Sequence, residues 1–257
     1  KVLKNLNKLN KRFVLISNAP RPSINVKFFL LELKMEENLT ENIFTSGEAA
    51  LKSLQRNVYG KNFFHLGPRR DNSLFSGFEK NKKELDFADF ILCTGFLEGK
   101  EDSLNYYESL LKNYTHLKMV CTNPDLIVHR GKKQEYCAGT IAKIFNELGG
   151  HVIYFGKPYP DIYNFCIQKN ERVLAIGDNI RTDIKGANNM KFDSLFITNG
   201  VHKNEFLNLQ EQNYDKILEK YETKTTYYQE RLTWWIMRIF KSTSISKNYR
   251  GSALAIG

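Results

Sequence analysis

The sequence predicts an α/β protein built on a parallel, doubly wound sheet, and three features carry that prediction. Short apolar runs recur along the chain, each closed by a polar or glycine turn: FVLIS at 13–17, FADFILCTG at 87–95, VLAIG at 173–177 and SLFITNG at 194–200. Between them lie stretches of helical period, such as 103–112, 136–148 and 160–169. The third feature is where the polar residues stand, at the strand ends that such a sheet gathers along one edge.

The elements follow in order. KVLKNLNKLN opens as an amphipathic helix with Val2, Leu3, Leu6 and Leu9 on one side. FVLIS is a buried strand ending in Ser17 and Asn18, and PSINVKFFLLEL is a helix with its proline in the first turn. In IFTSGEAALKSL, Thr45 and Ser46 can cap a helix that runs to about Leu54. NFFHLG, FADFILCTG and LKMVCTNPD read as strands, and HVIYFGKPYP and SLFITNG as two more. This order predicts a split core over 1–45 and 150–236, with an α/β insert over 46–149.

VLAIGDNIRTDIKGA (173–187) carries the most chemistry. Its apolar run ends at Gly177, Asp178 follows at the mouth of the sheet, and 179–188 has helical spacing that sets Thr182 and Asp183 in the first turn. Two carboxylates thus point to one place. Ser17-Asn18 and Lys157-Pro158 stand at two further strand ends. Taken singly, a capping aspartate, a capping serine and a turn with a solvated lysine explain each of them. Together they offer a hydroxyl, exposed amides, an ammonium and two carboxylates, the set that a phosphate and a divalent cation would use.

Composition narrows the class. The 257 residues carry a net charge of +10, 42% hydrophobic and 13% aromatic residues, which fits a globular chain of one large domain or two small ones. The positive excess is scattered lysine beside many Asn, Ile and Phe, so it reads as a solvated surface rather than a nucleic-acid face. The cysteines at 93, 121, 137 and 166 have no ligand spacing and read as buried thiols of a reducing compartment, and the histidines form no metal pattern. No signal peptide is visible, and WWIMRIF is too short and too basic to span a bilayer, so a cytoplasmic location and no membrane partner are expected.

The blocks VLISNAPRP, TSGEAALKSL, CTNPDLIVHRG, YCAGTIAKIFNELGGHVIYFGKP and VLAIGDNIRTDIKGA resemble, in order and separation, the haloacid dehalogenase (HAD) superfamily, class IIA, the NagD-like phosphatases, over about residues 1–236. The resemblance implies a HAD-type Rossmann-like core with an inserted C2-type cap, and Mg²⁺-dependent hydrolysis of a small phosphorylated metabolite through an aspartyl-phosphate. It makes Ser17 the phosphate-binding hydroxyl, with Asn18 beside it, and Lys157 the lysine that holds nucleophile and phosphate. Asp178 becomes the Mg²⁺ ligand, Asp183 the second acidic residue of the metal site, and Asn123 and Asp125 the cap motif, although an Asx-Pro turn without substrate contact would also suit the latter two.

The D-x-D-G motif of that family, which supplies nucleophile and general acid/base, occurs nowhere in the sequence. Family spacing sets it before Lys1, so an N-terminally truncated and inactive chain is expected, with a gap between FVLIS and VLAIG and two apolar edges facing it. A non-catalytic phosphate- or nucleotide-binding protein of the same fold stays open, as does a homo-oligomer. Residues 237–257 resemble the opening of a bifunctional riboflavin kinase/FAD synthetase, which would make the chain either the phosphatase part of a fusion or a reading frame that runs through a gene boundary; a basic tail ending in a strand is the alternative.

Overall fold

The computed structural model describes residues 1–130, 133–207, 209, 213–234, 240–241 and 253–256. The chain runs through α1 (Val2–Lys8), β1 (Arg12–Ser17), α2 (Ser23–Glu32), β2 (Ile43–Thr45), α3 (Ser46–Gln55), β3 (Phe63–Leu66), β4 (Phe90–Cys93), α4 (Leu104–Leu111) and β5 (Lys118–Cys121). It continues through β6 (Ile127–Arg130), β7 (Lys133–Tyr136), α5 (Ala138–Glu147), β8 (His151–Tyr154), α6 (Pro160–Cys166) and β9 (Val173–Gly177). A π-helical turn (Ile180–Ile184) leads to α7 (Lys185–Asn189), β10 (Asp193–Ile197), α8 (Lys203–Phe206), α9 (Tyr214–Lys220), β11 (Tyr227–Gln229), β12 (Phe240–Lys241) and β13 (Ala253–Ile256). The α/β class and the parallel sheets are those the sequence predicts.

Two compact units emerge. The first comprises Lys1–Ile16, Leu30–Ile43 and Lys157–Gly257, and the second Ser17–Phe29 and Phe44–Gly156. The first unit holds the strands β12-β11-β10-β9-β13-β1 in that order, parallel from β11 to β1, with β12 antiparallel at one edge. β9 is buried along its whole length because both faces of this sheet are covered, which is why it reads as an unbroken apolar run. Ile180, Ile184, Phe196, Phe206, Ile217, Leu218 and Tyr228 pack one core of this unit.

The expected gap between FVLIS and VLAIG does not exist: β13 fills it. Leu254 stands opposite Val14's neighbour Phe13 on one side and Leu174 on the other, and Ile256 opposite Leu15 and Ile176. The tetrapeptide Leu-Ala-Ile-Gly occurs at both 174–177 and 254–257, and its first three residues pair in register between the two strands. The apolar edges expected of β1 and β9 are therefore paired. WWIMRIF and the segment 237–257 fall largely outside the described residues; their described parts, β12 and β13, are strands of this sheet.

The second unit has its own parallel sheet, β3-β4-β5-β8, and a separate antiparallel hairpin, β6-β7. Ile91, Cys93, Tyr107, Leu111, Met119, Ile141 and Phe145 form the core on one face, and Phe63, Leu74, Phe75, Phe90 and Val120 on the other. Thr45 caps α3 by accepting from the Glu48 amide, as the sequence indicates. All four cysteines are buried free thiols, and burial pushes those of Cys121 and Cys166 up to about 12, so they are inert packing groups. Among the described residues no helix is long and apolar enough to cross a membrane.

Candidate active site

The centre of the first unit's site is the turn after β9. Gly177 is required there: a Cβ would stand 2.2 Å from the Asp183 carboxylate carbon. Asn179 then caps the π-helical turn, its side chain accepting from the Arg181 amide at 3.0 Å. Asp183, 5% exposed, reaches back with Oδ2 to accept from the amides of Asp178 at 3.1 Å and Asn179 at 3.0 Å. Its Oδ1 forms an ion pair with Lys157 Nζ at 2.7 Å. Lys157, itself buried, also donates to the Ile16 carbonyl at 3.1 Å, so one ammonium ties the turn after β9 to the end of β1. Both oxygens of Asp183 are thus engaged within the protein, and this carboxylate acts as a scaffold for the turn.

Asp178 is the more open of the pair. Its Oδ2 accepts from the Val201 amide at 3.1 Å, and Gly200 packs against it so closely that a Cβ would lie 2.1 Å from that oxygen. Burial, and after it the charge of Asp183, raises the Asp178 pKa above the ordinary carboxylate value. The folded chain therefore holds a proton more tightly than the unfolded one, and stability falls as pH rises from the ordinary value through the raised one. Asp178→Asn removes that penalty and is expected to raise the thermal midpoint at pH 7 in metal-free buffer while leaving it nearly unchanged at pH 3. A lower midpoint at pH 7 would show that the charge is stabilising.

Among the described residues no group of three or more His, Cys, Asp or Glu side chains comes together as a metal cluster. Magnesium does not need one: it keeps several waters and takes one or two carboxylates with substrate phosphate. Asp178, half-buried and with its pKa raised first by burial and then by the charge of Asp183, fits that requirement.

The remaining candidates lie in the second unit. Ser17 ends β1 and its Oγ accepts from the Ala19 amide at 3.1 Å, a local turn bond. Asn18 is buried and donates to Asp125 Oδ1 at 3.2 Å, while the Asn123 side chain accepts from the Asp125 amide at 3.1 Å. The structure thus gathers Lys157, Asp178 and Asp183 in one unit, and Asn18, Asn123 and Asp125 in the other. Two further residues belong to the second cluster: Ser46, which the sequence suggests only as a helix cap, and Gly156, which it does not single out. Ser46 donates to the Ala19 and Thr122 carbonyls, and Gly156 sits where a Cβ would strike Asn18 and Ser46. Gly156 has φ of +110°, and glycine before Lys157 was the available signal.

A doubly wound α/β core with an acidic pair and a buried lysine at its strand ends is the arrangement that the resemblance to the HAD hydrolases implies. Comparison with known proteins agrees: residues 154–223 match the model of the HAD-hydrolase-like family. A haloacid dehalogenase-like hydrolase from Brucella suis is 30% identical, with 78% of each chain covered and a TM-score of 0.71. The 4-nitrophenylphosphatase of Thermotoga maritima is 22% identical, covering 89% of this chain and 84% of its own, at a TM-score of 0.66. A p-nitrophenyl phosphatase from Archaeoglobus fulgidus shares the fold at 18% identity, with 88% and 86% covered and a TM-score of 0.65. No curated protein matches the chain. The chain belongs to the haloacid dehalogenase-like hydrolase family.

Proposed function

We propose that the chain is the core and cap of a Mg²⁺-dependent phosphomonoester hydrolase of the NagD-like type, acting on a small phosphorylated metabolite. The observation that carries this reading is the buried Lys157–Asp183 pair set directly behind Asp178, in a chain of this hydrolase family. The names of the more distant structural relatives, p-nitrophenyl phosphatases, agree with it.

Asp178 would hold the magnesium, with Asp183 fixing the turn on which Asp178 stands. Bound there, the ion offsets the negative charge that develops on a transferring phosphoryl group. Lys157 supplies a fixed positive charge at the same strand ends, desolvated and so more effective than in water. Ser17 is assigned to the phosphate oxygens, and Asn123 and Asp125 to leaving-group selection. In the resemblance the nucleophile is the aspartate of D-x-D-G, a motif the 257 residues do not contain; water attack on its aspartyl-phosphate would free phosphate and regenerate the carboxylate.

The absence of D-x-D-G from the 257 residues favours a second reading, a phosphate-binding protein of this fold without turnover. One experiment separates them. The chain carrying its upstream genomic sequence is assayed for phosphate release from a panel of phosphomonoesters with and without Mg²⁺. Turnover that needs Mg²⁺ and is lost in Asp178→Asn supports the hydrolase. Phosphate binding with no turnover on any ester supports the binder. A flavin phosphate standing out in the panel would support the fusion with flavin-nucleotide chemistry.

A further inference from the structure

Asp178 Oδ2 accepts from the Val201 amide, and Gly200, the residue before it, packs against the same oxygen. What fixes this turn therefore helps to fix the carboxylate. The turn after β10 is pinned on its near side by the amides of Thr198 and Asn199, which donate to the carbonyls of Gln229 at 3.0 Å and Glu230 at 3.1 Å. On its far side the next residue is His202, which is 7% exposed. Its Nδ1 lies 2.5 Å from Glu205 Oε1.

Glu205 in turn accepts from the Tyr221 hydroxyl, at 2.9 Å on Oε1 and 2.8 Å on Oε2. The rings of His202 and Tyr221 meet edge to face with centroids 5.2 Å apart. The Arg181 guanidinium lies 4.7 Å from the centre of the Tyr221 ring. Arg181 belongs to the π-helical turn, bonded through its amide to Asn179, the residue after Asp178. One chain of contacts, Arg181–Tyr221–Glu205–His202, thus joins the two backbone segments that flank the Asp178 carboxylate.

Packing alone does not account for these residue types. His202 Nε2 is buried with no partner among the described residues, a desolvation cost that an apolar residue would avoid. Burial would raise the Glu205 pKa, yet the bonds from His202 and Tyr221 outweigh it and hold the carboxyl below its ordinary value. The cluster keeps a buried, partly unsatisfied imidazole at His202, where an apolar residue would pack without that cost.

We propose that His202, Glu205, Tyr221 and Arg181 are positioning residues that set the orientation of the Asp178 carboxylate and thereby its affinity for a divalent cation. The cation part rests on the reading of Asp178 given above; the orientation part does not. In metal sites, outer partners of this kind are worth about 10–100-fold in metal affinity.

The test uses the whole 257-residue chain and three variants, Glu205→Ala, Glu205→Gln and Tyr221→Phe. Two quantities are measured, the exchange rate of the Val201 amide by NMR and the Mg²⁺ affinity by titration calorimetry. Glu205→Ala is expected to speed Val201 exchange and to weaken Mg²⁺ about tenfold, with Tyr221→Phe smaller in both and Glu205→Gln rescuing most of the loss. Exchange at amides of β9 should stay as in the parent, which a general loosening of the fold would not allow. If Glu205→Ala unfolds, Tyr221→Phe decides by the same measures. Unchanged Val201 exchange in a folded variant overturns the proposal. A parent chain that binds no Mg²⁺, beside variants that show the exchange effect, upholds the positioning and removes the metal reading instead.

Discussion

Lys157→Met is expected to lower the unfolding free energy by about 3–5 kcal/mol, the cost of leaving a buried carboxylate without its cation. Both partners are buried, with side chains 9% and 5% exposed, so solvent screens the pair little. The lost ammonium also leaves the Ile16 carbonyl without its donor at the end of β1. Urea unfolding should show a lower midpoint with an unchanged slope. Adding Asp183→Asn should recover most of the loss, because the amide oxygen can still accept from the Asp178 and Asn179 amides while carrying no charge. A single variant within about 1 kcal/mol of the parent would mean that water reaches the pair and that the lysine is no scaffold.

The second large effect lies at the sheet centre. Ala255 is paired on both sides, with Val14 of β1 and Ala175 of β9. Proline there removes a ladder donor and leaves an acceptor unpaired, an expected loss of about 2–4 kcal/mol. Opening the slot also exposes two neighbouring strand edges, so Ala255→Pro should aggregate on mild heating where the parent does not. Light scattering during a thermal scan reads this directly. A variant that matches the parent in midpoint and scattering would show that β13 does not hold the centre of the sheet.

Much of the fold was legible in the sequence because buried parallel strands leave an unmistakable pattern. VLAIG and FILC read correctly since both faces of each are covered, and the run then needs no polar partner residue. The hairpin β6-β7 went unread for the opposite reason: Lys133–Tyr136 is largely exposed, and KQEY carries no apolar alternation. The expected α-helix over 179–188 begins instead as a π-helical turn. Asn179 O accepts from both the Asp183 and Ile184 amides, while the Asp183 carboxylate bonds back to the amides at 178 and 179. Side-chain bonding to the backbone at a cap is invisible to a count of apolar spacing.

The site was partly legible. Asp178, Asp183 and Lys157 stood out because each follows a strong strand signal, and the structure brings them together. That Asp183 is spent on Lys157 and two amides could not be read from spacing, since the partner lies 26 positions away. The cluster of Arg181, His202, Glu205 and Tyr221 has only a faint local signal, His202 and Glu205 three residues apart in and beside a short helix. Pairing of β13 with β1 joins residues from opposite ends of the sequence, and no local pattern announces a contact of that range.

The place of β13 also governs how the protein is made. The second unit builds its sheet in chain order, β3-β4-β5-β8, so its pairings close shorter loops than the pairing of β13 with β1. The first unit cannot complete the middle of its sheet until residues 253–256 arrive, four places across from β12. During synthesis one half can therefore mature while the other waits with an open slot, and a chaperone that shields strand edges would act in that interval. The repeated Leu-Ala-Ile adds a kinetic hazard: two copies of one tripeptide compete for adjacent positions, and a chain that seats the wrong copy first must unzip before it can finish.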